Sequence, residues 1–239
     1  MVAYNENNPY AAQWLRNLIA AGHLPDGVVD DRSIEDVCAD ELREFDQCHF
    51  FAGIGGWQYA LRLAGVPDDA PIWTGSCPCQ PFSVAGKQRG TTDERHLWPV
   101  WYQLIEQCRP AIIFGEQVAS LPALAWLDDV FDDLESAGYA CAAANLCAAG
   151  VGAPHIRQRL YWVAYANHSG LERWCGKWKC SDKWAAWQDG VAISCRDGKH
   201  RIAPAPESGI LPMDDGLPNR VEQIRAYGNA IVPQVAGNL

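Results

Sequence analysis

Two cysteines flank a proline in the stretch GSCPCQPFSVAG (75–86), and Pro81 follows two residues later. A thiol in this setting can be a nucleophile, a metal ligand, half of a disulfide, or core packing. Cys77 and Cys79 sit on opposite sides of Pro78 as near neighbours, which suits a disulfide poorly. Ten cysteines at irregular spacing, behind a polar N-terminus (MVAYNENNPY) with no leader pattern, argue for reduced thiols in a cytosol. A nucleophilic thiolate needs positive neighbours or N–H groups to lower its pKa. Lys87, Arg89 and Arg95 follow soon after. On chemistry alone, a reactive Cys79 and a buried structural Cys79 are equally open.

A second stretch, FAGIGG (51–56), ends an apolar run and opens a helical pattern. Its glycines allow a ligand close to the backbone, and the helix start supplies free N–H groups. A tight turn with no ligand also explains it. A nucleotide-like ligand usually meets an acid about 20 residues further on. Only Asp68 and Asp69 stand between this helix and the next strand, so that acid is missing from its usual place.

Several elements must position these residues. VAYN (2–5), GVVDD (27–31), the run ending at FAGIGG, PIWTGSC, AIIFGEQV (111–118) and LYWVAYA (160–166) read as strands. Asn8 caps a helix with Pro9 at its first position, running to Gly22. WQYALRLAG, LWPVWYQLIEQC (97–108) and LAWLDDVFDDLESAGY have helical spacing, the last ended by Gly138. SIEDVCADELREF is polar and helical only in part. Strands alternating with helices predict a parallel α/β sheet. From Asn167 to about Pro212 the pattern dissolves into a small irregular insert holding Trp174, Trp178, Trp184 and Trp187. Those tryptophans read as the insert's own core. No run approaches the length of a membrane span.

Net charge is −10, unevenly spread. Residues 1–150 carry 8 Lys+Arg and 21 Asp+Glu, and residues 151–239 carry 11 and 8. A phosphate-binding face needs local positive charge rather than a basic total, and the second half permits one.

In order along the chain, GSCPCQPFSVAGK, DERHLW (93–98), FGEQV (114–118), GAPHIRQRLYWVA (152–164) and YGNAIVPQ (227–234) resemble the motifs of DNA (cytosine-5)-methyltransferases. FAGIGG is similar to that family's S-adenosylmethionine turn. The resemblance implies a Rossmann-like S-adenosylmethionine-dependent methyltransferase sheet. It makes Cys79 the nucleophile toward C6 of a flipped cytosine, and leaves Cys77 to packing. Glu116 would protonate or hydrogen-bond N3 and the amino group, although the family usually shows ENV where this chain has EQV. Arg159 would contact the cytosine oxygen, with Arg157 in support. His155 stands where the family usually has glutamine. Implied cofactor contacts come from Phe51, Gly53, Ile54, Gly55, Gly56, Trp57, Pro78, Asn229 and Ala230. A loop with Ser83, Lys87, Arg89 and Arg95 would hold phosphates around the flipped base; a mobile polar loop is the plainer reading.

The family's second and third strands, each ending in an acid, do not follow the glycine turn here. The N-terminal stretch VAYNENNPYAAQWLRNLIAAGHLPDGVVDD resembles them, and implies a rearranged order. Glu6, with Asn7, would then meet the ribose hydroxyls, and Asp30 or Asp31 the adenine amino group. The helix after FAGIGG must then lead to the strand before PCQ. Right-handed crossovers would send it to the opposite sheet face unless this connection is an exception. The catalytic domain is expected over 1–166 and 213–239, with a short target-recognition region at 167–212. There Lys177, Lys179, Lys183, Lys199 and Arg201 could meet phosphates. Cys175, Cys180, Cys195 and His200 have only loosely zinc-like spacing, and no metal is expected.

The implied partner is double-stranded DNA, met by a monomer in a bacterial or phage-infected cytoplasm, with no membrane and an unknown endonuclease partner. A non-catalytic DNA-binding or regulatory relative is the alternative, slightly favoured by the short insert and by the stop at VAGNL, and opposed strongly by the intact Cys79, Glu116 and Arg159. An RNA cytosine-5 methyltransferase would use the same chemistry.

Overall fold

The computed structural model describes residues 1–78, 97–153, 156–166, 192–194, 200–202 and 230–237. A seven-stranded sheet runs through them in the order β2-β1-β3-β4-β5-β7-β6. Its strands are β1 (Val2–Asn5), β2 (Gly27–Asp30), β3 (Gln47–Phe50), β4 (Ile72–Gly75), β5 (Ile112–Val118), β6 (Tyr139–Cys147) and β7 (Gln158–Ala166). The first five in that order are parallel, β7 is antiparallel to β5, and β6 is antiparallel to β7. A separate two-stranded pair joins β8 (Ala192–Ser194) to β9 (His200–Ile202).

Helix α1 (Pro9–Ala20) starts where Asn8 accepts the backbone N–H groups of Tyr10 and Ala11. A 3-10 turn (Ile34–Asp36) and the single turn α2 (Ala39–Leu42) link β2 to β3, so the polar stretch is indeed only partly helical. Helices α3 (Gly56–Leu63), α4 (Trp98–Cys108) and α5 (Leu121–Ser136) follow, and α6 (Pro233–Ala236) is a last short turn.

Strand alternation splits the core between two faces. Cys48, Phe50, Trp73 and Ile113 pack with Trp98, Trp101, Trp126 and Trp162 on the face that also holds α2, α4 and α5. Apolar area buried in this way stabilises the fold by about 25 cal/mol per Å². Gly115 permits this packing, because a Cβ there would lie 2.0 Å from Cε2 of Trp162. On the other face Tyr4, His49, Thr74 and Phe114 are consecutive register partners. Over them lie Leu15 of α1 and Trp57, Ala60 and Leu61 of α3.

Helices α1 and α3 therefore share a face, although β1→β2 and β3→β4 step in opposite directions across the sheet. Their hands must be opposite. The β4→α4→β5 connection steps in the same direction as β3→β4 but uses the other face, so it shares the hand of β1→α1→β2. With right-handed crossovers the rule, β3→α3→β4 is the left-handed exception. The turn before α3 sends the helix to the α1 face, and the chain must then reach β4 on the far side of β3.

Candidate active site

The turn after β3 carries its own unusual backbone. Phe51 has φ 51°, and Gly55, which caps α3, has φ 81°. A side chain at Gly55 would also meet Leu24 Cδ1 at 2.6 Å, so glycine is required there twice over. The turn is tied to the N-terminal strand: Ala52 N–H donates to the Asn5 carbonyl (3.1 Å), and Gly53 N–H donates to Glu6 Oε2 (2.7 Å). Glu6 Oε1 accepts the N–H of Asn8 (2.9 Å). Glu6 thus belongs to the glycine turn and not to a frayed end. One lone pair on each carboxylate oxygen is left for a further donor.

Beside this turn a cavity of about 450 Å³ opens at the carboxyl ends of β1, β2 and β3, lined by Asn5, Asp30, Asp31, Val37 and Phe50 among others. Its size and mix of apolar walls and acids suit an adenosine-sized ligand. Asp30 is gripped by the Arg32 guanidinium, Nε at 3.0 Å and Nη2 at 2.7 Å, which holds its carboxyl below the usual range. Arg32 also pairs with Glu41. Asp31 instead pairs with Arg16 of α1 at 2.8 Å. Trp57 is only 3 % exposed, and its side chain meets Ser76, Phe114 and Tyr161 rather than open space.

At the carboxyl end of β5 lies Glu116, 7 % exposed. Its Oε1 takes Arg159 Nε of the antiparallel neighbour at 2.8 Å. Burial raises its pKa above the usual carboxylate range, against the pull of Arg159, Arg157 and a hydrogen bond from Ser76. Burial dominates because the ion pair replaces only part of the lost water. Arg157 stands in the left-handed region (φ 30°), unusual for a side-chain-bearing residue, and donates to the Ala230 carbonyl at 2.7 Å. Both arginines line an open cleft of about 930 Å³ with Ile54, Gly55 and Ala230. A buried carboxyl with raised proton affinity, paired to an arginine, can give a proton or a hydrogen bond to a ring nitrogen.

Gly75 and Gly115 pair in register, so the segment after β4 runs beside Glu116. Cys77 is buried in the tryptophan-rich core, and Gln117 Nε2 donates to its carbonyl at 3.1 Å. Pro78 is exposed at the edge of the described chain. Cys79, Ser83, Lys87, Arg89, Arg95, His155, Lys177, Lys179 and Asn229 lie outside the described residues, as do Cys175, Cys180 and Cys195. Among the described residues no group of His, Cys, Asp and Glu could hold a metal, and no helix is long and apolar enough to cross a membrane. Ser76 and Arg32 are the site residues the sequence did not announce; both sit one or two positions from residues that it did.

A family model for the C-5 cytosine-specific DNA methylases matches residues 64–188, more than half of the chain. The chain belongs to that family. The matched span contains β4, Glu116 and Arg159, whereas the glycine turn and β1–β3 precede it. Type II methyltransferase M.AplI of Arthrospira platensis is 34% identical over 105 residues, 43% of this chain and 30% of that protein. Type II methyltransferase M.NaeI of Lentzea aerocolonigenes is 36% identical over 99 residues, 40% of this chain and 24% of that protein. With Type II methyltransferase M.AgeI of Thalassovita gelatinovora the identity is 28% over 151 residues, 62% of this chain and 31% of that protein. The chain thus spans about a third or less of the length of these relatives.

Proposed function

We propose that the protein transfers a methyl group from S-adenosylmethionine to C5 of a cytosine flipped out of double-stranded DNA. The observation that carries this is the buried Glu116–Arg159 pair at the end of β5, beside the segment that leads into Pro78 and Cys79. The Cys79 thiolate adds to C6, which makes C5 electron-rich. Glu116 gives a proton or hydrogen bond at N3 as that charge builds, and Arg159 holds the base oxygen. The bound cofactor supplies an electrophilic methyl group. A base then takes the C5 proton, the C–H electron pair restores the C5–C6 double bond, and the C6–S bond breaks with its pair returning to the Cys79 thiolate.

The cofactor contacts fall to the chain's own turn and strand ends. Glu6 accepts the ribose hydroxyls and Asp30 or Asp31 the adenine amino group, with β1 and β2 serving as the family's second and third strands. Phe51 to Gly56, Pro78, Asn229 and Ala230 complete the binding surface. Residues 167–212 act as the target-recognition region, Lys177 and Lys179 on phosphates, with Ser83, Lys87, Arg89 and Arg95 around the displaced base. The test is DNA carrying 5-fluorocytosine, incubated with the protein and S-adenosylmethionine. The fluorine blocks the last proton loss, so a covalent adduct accumulates and maps by mass spectrometry. Attachment at Cys79, retained in Cys77→Ser and lost in Cys79→Ser, is expected. Attachment at Cys77, or no adduct, refutes the reading.

A further inference from the structure

Ser76 has no part in the reaction as described, yet it stands between Trp57 of α3 and the strand that carries Glu116. The indole N–H of Trp57 donates to Ser76 Oγ at 3.1 Å, and the in-register pair Gly75–Gly115 brings Ser76 beside Glu116, whose carboxyl its hydroxyl helps to hold in the charged form. An indole can only donate. Its N–H therefore occupies an acceptor site on Ser76 and leaves the single hydroxyl proton for Glu116. Trp57 is held firmly: its ring stacks on Phe114 with centroids 6.1 Å apart and meets Tyr161 edge-on at 6.1 Å. Phe114 is two residues before the acid on the same strand, and Tyr161 is the register partner of Glu116 itself.

We propose that Ser76 and Trp57 are positioning residues that hold the Glu116 carboxyl in its working orientation, tying the acid to the first turn of α3 directly after the glycine turn. This rests on the reading of Glu116 as the group that meets the cytosine ring. Arg159 fixes one carboxylate oxygen; the serine proton adds a second direction, and two directions fix the carboxyl plane. The other groups facing Glu116 are Arg157 from the strand-entry loop and Tyr161 from β7. Burial pushes the Tyr161 phenol up to about 12, so it stays neutral while Glu116 titrates.

Ser76→Ala removes a donor to the charged carboxylate, so Glu116 should hold its proton to higher pH. The test is carbon-13 NMR of protein labelled at the glutamate side-chain carboxyl, with the Glu116 signal assigned by its loss in Glu116→Gln. The Glu116 midpoint is expected to rise by about half to one pH unit in Ser76→Ala, about a three- to tenfold change in proton affinity. A smaller rise is expected in Trp57→Phe, and return to the wild-type midpoint in Ser76→Thr. The pH–rate profile of methyl transfer should move in the same direction, which a purely structural role would not produce. Wild-type titration in Ser76→Ala overturns the proposal. If Ser76→Ala does not fold, Trp57→Phe reads the same chain from its far end, and a wild-type midpoint there overturns it. Should Glu116→Gln methylate at the wild-type rate, the catalytic reading of Glu116 falls, while the titrations still judge the hydrogen-bonded chain.

Discussion

Replacing Glu6 by alanine tests the N-terminal half of the site. Its carboxylate takes one N–H on each oxygen, from Gly53 at 2.7 Å and Asn8 at 2.9 Å. Of about four lone-pair positions, two remain, one per oxygen, the arrangement that two adjacent ribose hydroxyls need. A hydrogen bond to a charged acceptor contributes roughly 1.5–3 kcal/mol, and water at the half-buried site reduces the net for a pair to about the size of one. Glu6→Ala should therefore weaken S-adenosylmethionine binding by about ten- to a hundredfold, or about 1.4–2.7 kcal/mol. Isothermal titration calorimetry measures this directly, and fluorescence anisotropy with a DNA duplex should show DNA affinity nearly unchanged. Circular dichroism confirms that the variant is folded, since the Gly53 N–H loses its acceptor. A folded Glu6→Ala protein with wild-type cofactor affinity would refute both the ribose role and the assignment of β1 as the family's acidic strand.

Glu116→Gln keeps the shape of the side chain and removes its proton, so single-turnover methyl transfer should slow by roughly 10²–10⁴; wild-type speed would remove Glu116 from the mechanism. His49 is fully enclosed beside Tyr4 and Thr74, and burial lowers its pKa to about 4. The unfolded chain takes up this proton near pH 6.5 but the folded protein does so only near 4, so the stability held above pH 6.5 is lost as pH falls toward 4. The loss amounts to about 3 kcal/mol. Urea unfolding midpoints at pH 7, 5.5 and 4 measure it, and His49→Gln should flatten that part of the dependence.

Much of the fold was legible because its signals are local. Asn8-Pro9 marks the start of α1, and VAYN matches β1 residue for residue. Strand β6 was not legible. Its sequence, YACAAANLC, has few β-branched or large residues, and it is held at the sheet edge by β7 instead of by its own propensity. The antiparallel direction of β7 also escaped, because LYWVAYA is apolar on both sides and carries no directional signal. The hand of the β3→α3→β4 crossover could only be posed as a question, since it depends on which sheet face α3 takes. Glu116 and Arg159 were singled out through motifs, and their contact follows from strand pairing. Ser76 was missed because one hydroxyl among glycine, cysteine and proline looks like loop filling until Trp57 and Glu116 stand on either side of it. Arg32 was missed for a similar reason: an exposed arginine in a polar linker gives no sign that it grips Asp30.

The most direct test of the account is bisulfite sequencing of duplex DNA incubated with the purified protein and S-adenosylmethionine, beside the same reaction with Cys79→Ser. Protected cytosines at a defined recognition sequence with the wild-type protein, and complete conversion with Cys79→Ser, are the predicted result. Complete conversion in both reactions, or equal protection in both, would contradict it.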